Sequence, residues 1–197
     1  MDDTRRRLGK AFFRQDPLVC ARELIGCRFH WGPFLTRVVE TEAYDAHGDE
    51  ACHTFFRPSA RAFVEAHPAG TAYVYFNYGV HWLFNVLVKG HRDGFVLFRA
   101  LEPLHGLEMM RKARGKADPT HLCSGPGKLT QALGITGAHH GFDLCADPAH
   151  RFDAAGEAAV SVEASPRIGI SRAVDLPWRF SLAGSPHVSG GRGRKNG

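Results

Sequence analysis

The sequence predicts a single-domain α/β protein of the α+β type: a curved, mostly antiparallel sheet with flanking helices and one protruding β-hairpin. Two observations lead there. Runs rich in β-branched and aromatic residues follow one another across short Gly, Pro and Asn turns, as antiparallel strands do, with helical patterns at intervals. The 197 residues suit one domain with a sizeable core, and no internal repeat or linker divides them.

In chain order, Asp16-Pro17 reads as an N-cap followed by proline at the first helical position, with Gly26 as the stop. Leu18, Val19, Ala21, Leu24 and Ile25 give the helix between them a broad apolar face. Cys27-Arg28-Phe29 starts a strand, Trp31-Gly32-Pro33 makes a turn, and residues 35–44 form a long strand. Residues 54–69 read as irregular, broken at Arg57-Pro58 and His67-Pro68. Residues 71–77 alternate Thr71, Tyr73, Tyr75 and Asn77 against Ala72, Val74 and Phe76, and residues 80–88 return after the Asn77-Tyr78-Gly79 turn signal. This pair is the hairpin, with Tyr78 at its tip. Residues 94–101 form another strand with Arg99 embedded in it. Pro103 opens a helix through about Arg114, with Leu104, Leu107 and Met110 inward. Residues 124–128 cap a helix that stops at Gly134. Short strands are expected near 159–162, 167–170 and 178–182, and a disordered basic tail from about Ser189 to Gly197.

No apolar run reaches the about 18 residues of a membrane span, and the basic N-terminus lacks the apolar segment of a secretory signal. Five cysteines with no C-x-x-C pair argue against a disulfide framework and for a reducing compartment. The net charge of +5 is compatible with a polyanionic partner. Its clusters are Arg5, Arg6, Arg7 and Lys10; Arg111, Lys112, Arg114 and Lys116; and Arg192, Arg194 and Lys195.

The most informative stretch is Val38-Val39-Glu40-Thr41-Glu42-Ala43-Tyr44. Strand alternation puts Glu40, Glu42 and Tyr44 on one face, the carboxylates roughly 7 Å apart. Two acids this close to a core must be solvated, hydrogen-bonded or raised in proton affinity, although a solvent-facing edge would explain them as well. The loop after them gathers His47, Asp49, Cys52 and His53, a conceivable metal set whose spacing matches no standard zinc pattern. Asn85 is a lone amide in an apolar run, and a buried amide must find partners. Ser124-Gly125-Pro126-Gly127-Lys128 opens a helix with small residues and a lysine, a natural phosphate seat or an ordinary capped helix.

Taken together, these segments resemble the alkyladenine (methylpurine) DNA glycosylases of base excision repair. The resemblance runs from Arg7-Leu8-Gly9 to Gly184-Ser185-Pro186. It is carried by the 38–44 stretch, Asp49-Glu50-Ala51-Cys52-His53, Tyr73-Val74-Tyr75, Tyr78-Gly79, Asn85, Arg99-Ala100-Leu101-Glu102-Pro103, Cys123-Ser124-Gly125-Pro126 with Lys128-Leu129, and Arg179-Phe180. It implies an enzyme that flips a damaged purine from double-stranded DNA and hydrolyses its N-glycosidic bond. The implied roles are Glu42 as the base activating water, with Arg99 assisting. Tyr44, Tyr75, His53 and Asn85 would hold the flipped base, Tyr78 would intercalate, and Lys128, Ser124 and Gly125 would meet the DNA backbone. The same resemblance implies no lyase step, no cofactor and no metal. It implies a monomer away from membranes, cytoplasmic if bacterial and nuclear if eukaryotic. Residues 55–69 depart from the family pattern, with Arg61 retained there, and Asn77 stands before Tyr78 where an apolar residue is common.

Two other readings fit part of the sequence. A non-catalytic nucleic-acid-binding module explains the charge and Tyr78 but gives Glu42 no task. A small-molecule hydrolase could use Glu40 and Glu42 as a carboxylate pair.

Overall fold

A computed structural model of the chain describes residues 6–156 and 160–190. Eight strands form one sheet, every strand pair antiparallel, with six α-helices among the described residues. The strands are β1 (Arg28–Trp31), β2 (Phe34–Asp45), β3 (Ala72–Asn77), β4 (His81–Lys89), β5 (Asp93–His105), β6 (His150–Asp153), β7 (Val162–Ser165) and β8 (Arg179–Leu182). The order β3-β4-β5-β2-β1-β6 makes β2 and β5 the spine. β2 pairs with β5 along one side; on the other it pairs first with β1 and then, over residues 40–42, with β8.

The helices are α1 (Lys10–Phe13), α2 (Pro17–Glu23), α3 (His53–Phe56), α4 (Pro58–Ala66), α5 (Leu107–Arg114) and α6 (Pro126–Leu133). α2 and α6 pack on the face that holds the main core. Phe29, Phe84, Phe98 and Phe152 stack there at centroid distances of 4.4–6.1 Å. Cys52, Ala60, Phe63, Val64, Tyr73, Leu87 and Phe95 build a smaller cluster, with Tyr44 and Tyr75 at its margin. The division follows strand alternation: Phe84, Val86 and Val88 of β4 join the main core, while Leu87 joins the other cluster.

Two of the three register shifts in the β2–β5 ladder break that alternation beside the carboxylates. Val39 and Arg99 have no opposite residue, because Val38 pairs with Leu101, Glu40 with Ala100 and Thr41 with Phe98. Such bulges switch which residues face which side. Val38 faces the main core, and so do Thr41, bonded to the Ala21 carbonyl of α2 at 2.8 Å, and Ala43. Glu40 and Glu42 are turned to the opposite side, and Arg99 bulges toward them.

The structure corrects several sequence expectations. Residues 54–69 are not irregular: Pro58 occupies the first turn of α4, where a missing N–H costs nothing, and Ala60, Phe63 and Val64 are its buried stripe. Pro103 opens no helix; β5 runs through it to His105, α5 starts after Gly106, and Leu104 is exposed. Asp16 precedes α2 as expected, but its carboxylate caps nothing there and accepts the Arg92 N–H at 3.0 Å instead. Residues 167–170 are not a strand, β6 has no counterpart in the sequence reading, and β7 lies later than expected. Ser189, where the tail was expected to begin, is buried and hydrogen-bonded to Glu40; residues 191–197 lie outside the described residues. Among the described residues the cysteines form no disulfide, and no helix is long and apolar enough to cross a membrane.

Candidate active site

β2 delivers two carboxylates, both fully buried. Glu40 Oε1 accepts from Arg99 Nε (3.0 Å), Arg179 Nη1 (3.1 Å) and Ser189 Oγ (2.8 Å), and its Oε2 accepts from the Ser189 N–H (2.5 Å). Glu40 thus takes four donors, three of them crowded on Oε1 and one on Oε2. Glu42 is held more sparingly. Its Oε1 accepts from the Ile168 N–H (2.7 Å) and pairs with Arg99 Nη1 (3.2 Å), and its Oε2 accepts from the Tyr44 hydroxyl (2.8 Å). Burial pushes the Glu42 carboxyl above the ordinary glutamate value, against the opposing pull of Arg99, then the Ile168 N–H and Tyr44. Arg99 is the cation between the two acids, and its Nη1 also reaches the Ile168 carbonyl at 3.4 Å.

A cavity of about 1300 Å³ opens over this pair. Tyr44 and Arg99 belong to its wall, and Glu42, which both of them touch, lies directly behind that wall. Tyr73, Tyr75 and His53 supply the aromatic lining. The His53 and Tyr75 rings are 4.3 Å apart, and His53 Nδ1 is hydrogen-bonded to the Tyr73 hydroxyl at 3.0 Å. Burial, with the Arg57 charge nearby, pushes the His53 imidazole down to about 4, so this ring is neutral in the physiological range. Burial raises the hydroxyls of Tyr44, Tyr73 and Tyr75, so all three stay protonated donors. Asn85 also lines the cavity, its amide donating to the Tyr73 carbonyl at 3.1 Å.

The β3–β4 turn stands at the edge of the same cavity. Asn77 and Val80 close it through a 3.0 Å backbone hydrogen bond, and its central residues, Tyr78 and Gly79, both have positive φ (50° and 66°). Primed hairpin turns require this, and it suits Gly79 but is unusual for a tyrosine. Tyr78 is 88% exposed. On another side, residues 124–128 line the cavity at the start of α6, with Lys128 Nζ 3.3 Å from Ser124 Oγ.

The structure thus brings together every candidate from the sequence: Glu42, Arg99, Tyr44, His53, Tyr75, Asn85, Tyr78, Ser124, Gly125 and Lys128 line or back one cavity. The conceivable metal set does not assemble. Asp49 pairs with Arg167, Cys52 Sγ accepts from Thr54, and His53 turns to Tyr73. Among the described residues no three His, Cys, Asp or Glu side chains are grouped to hold a metal ion. Sequence reasoning missed Arg167, Ile168, Arg179 and Ser189 as contacts of this site. They come from chain more than 100 residues beyond β2; the resemblance marks Arg179, but nothing local marks its contact with Glu40 or the contacts of Arg167, Ile168 and Ser189.

The methylpurine-DNA glycosylase (MPG) family model matches residues 11–186. The chain belongs to the methylpurine-DNA glycosylase family. Its relatives include proteins provisionally named 3-methyladenine DNA glycosylase from three bacteria. The Chlorobaculum tepidum protein is 44% identical over 93% of this chain and 91% of its own. That of Nitrosospira multiformis is 47% identical over 86% of each chain, and that of Rhodopseudomonas palustris 46% identical over 92% and 87%. Family membership makes the protein a DNA glycosylase, a DNA-repair hydrolase whose substrate is DNA. The non-catalytic module and the small-molecule hydrolase give way to that assignment. Glu40, which the hydrolase reading needed as a second working acid, is bonded to Arg99, Arg179 and Ser189.

Proposed function

We propose that this glycosylase flips damaged purines, of the alkylated adenine and guanine, hypoxanthine and ethenoadenine class, and hydrolyses the N-glycosidic bond with Glu42 as general base. The observation that carries this reading is the hold on Glu42: all its donors, Tyr44, Ile168 and Arg99, belong to the cavity wall. Glu42 has three donors and room for one more, and its proton affinity is raised toward the working range of a base. A water taking the remaining acceptor position would give Glu42 a proton as its oxygen attacks C1′. The C1′–N bond breaks with its electron pair leaving on the purine; a cationic alkylated purine departs neutral, an uncharged one takes up a proton from water, and the products are a free base and an abasic deoxyribose. General base catalysis of this kind contributes about 10²–10⁴-fold.

The walls supply the rest. Tyr44 and Tyr75 would stack the flipped base, worth about 1–3 kcal/mol per base toward the cost of unpairing, with the neutral His53 as a further wall and hydrogen-bond partner. Tyr78 would fill the gap left in the duplex. Asn85 would crowd the exocyclic amino group of normal guanine, which is discrimination by clash. Lys128, Ser124 and the Gly125 backbone at the start of α6 would seat a phosphate. The enzyme would work as a monomer, without a cofactor, in the cytoplasm, since the relatives named above are bacterial. We assign it no lyase step: Lys128 is proposed to meet phosphate rather than to form a Schiff base, so borohydride should trap no enzyme–DNA adduct.

The test is a labelled duplex carrying hypoxanthine or an alkylated adenine, incubated with enzyme and then treated with hot alkali. Wild type should give an alkali-labile site. Glu42→Gln should lose it by about 10²-fold or more while still binding the duplex. Retained excision in Glu42→Gln would overturn the assignment of the base.

A further inference from the structure

Behind the cavity wall, Arg167 and Asp49 form an ion pair with both side chains fully buried. Arg167 Nη1 and Nη2 reach the two Asp49 oxygens at 2.5 and 2.8 Å, and Nη1 also donates to the Ala43 carbonyl at 3.0 Å. The guanidinium lies between two rings, 4.6 Å from the centroid of Tyr44 and 5.0 Å from that of Trp178. The next residue is Ile168, whose N–H is bonded to Glu42. One planar cation is therefore tied at once to the ring of Tyr44, to the peptide before Tyr44 and to the peptide before Ile168.

We propose that Arg167, clamped by Asp49, is a positioning residue that aims the Tyr44 hydroxyl and the Ile168 N–H at Glu42. The inference rests on Glu42 being the general base. Replacing a buried ion pair with apolar side chains of similar volume is often neutral or stabilising, so packing alone gives little reason for this one. What the pair adds is direction. A bidentate guanidinium has fixed orientation where apolar side chains can slide, and the two donors it steadies are two of the three on Glu42. Arg167 acts on Glu42 through Tyr44 and Ile168, and its charge also reaches Glu42 directly.

The other charged or titratable groups facing Glu42 are Arg99 on β5, Glu40 and Tyr44 on β2, Tyr75 on β3 and Arg179 opposite it on β8. All remain in an Asp49→Asn/Arg167→Gln double variant, which removes both buried charges and strands neither. Loosening one donor on Glu42 makes its carboxylate easier to protonate. The acid limb of the single-turnover excision profile should move up by about 0.5–1 pH unit, the worth of one hydrogen bond, and the plateau rate should fall about tenfold. Arg167→Lys, which keeps the charge but loses the fork, should show the same direction of shift. Trp178→Leu, which leaves the ion pair intact and frees one face of the guanidinium, should shift the limb less; it carries the test if the double variant does not fold. A folded variant with lowered rate and an unmoved acid limb, or with unchanged excision, would overturn the proposal. Failure of the Glu42 assignment looks different: there Glu42→Gln itself keeps its activity.

Discussion

Tyr78 offers a perturbation in which stability and function should move in opposite directions. The tyrosine holds φ at 50° in the hairpin turn, a left-handed conformation that costs an L-residue about 1–2 kcal/mol. Little packing repays it, because the side chain is 88% exposed. Asparagine tolerates this region better, and Asn followed by Gly is the preferred central pair of a primed turn. Tyr78→Asn should therefore stabilise the protein by about 0.5–1 kcal/mol, raising the melting temperature by about 1–4 °C for a domain of this size. Excision should suffer. If the ring fills the vacated stack, its loss removes about 1–3 kcal/mol, or about 5- to 150-fold in the rate on duplex. The slowing should be much smaller on single strands, where no stack needs filling. The assays are thermal unfolding in the absence of DNA and single-turnover excision on matched duplex and single-stranded substrates. A variant destabilised by 1 kcal/mol or more would refute the strain argument. Equal slowing on both substrates would refute the wedge.

Further outcomes follow from the same geometry. The pH profile of excision should show an acid limb above the ordinary glutamate value of 4.5, since the base must be ionised and burial raises its proton affinity. His53, pushed down to about 4, should contribute no titration between about pH 5 and 8, which NMR of the imidazole would check. Arg99→Gln leaves two fully buried carboxylates without the cation between them and should destabilise the fold by about 3–5 kcal/mol, measured by denaturant unfolding. Asn85→Ser, shortening a side chain that lines the cavity, should raise the release of normal guanine from undamaged duplex; an unchanged background would reject Asn85 as the discriminator.

Much of the site could be read from the chain because it sits on regular elements. Strand alternation put Glu40, Glu42 and Tyr44 on one side, and a turn signal between an alternating run and an apolar one put Tyr78 at a tip. Pro126 and Gly134 bracket α6 as a first-turn proline and a left-handed stop should. What stayed hidden has specific causes. A bulge is one extra residue; Val39 in β2 follows a second valine and Arg99 in β5 sits between Phe98 and Ala100, so local pattern does not mark either as the extra one. α4 was hidden by its own proline: Arg57-Pro58 marks both a break and a helix start, and a nine-residue helix shows its apolar stripe only once or twice. Arg167 and Ser189 act across 118 and 149 residues from their acidic partners, a distance over which side-chain pattern carries no pairing information.

The two glutamates of β2 show how a fold assigns different chemistry to identical side chains two residues apart. Alternation gives them the same face, burial gives them the same dielectric, and Arg99 touches both. They are separated by what arrives from the end of the chain. Arg179 on β8 and Ser189 beyond it add three donors to the one Glu40 takes from Arg99. Glu42 receives one peptide N–H and one phenol, both groups that leave its charge intact, and keeps an acceptor position beside the cavity wall. The proposed division of labour on β2 thus depends on residues 167–189 being wrapped onto the sheet, and a chain ending before Ser189 should lose its distinction between the two acids before it loses its core.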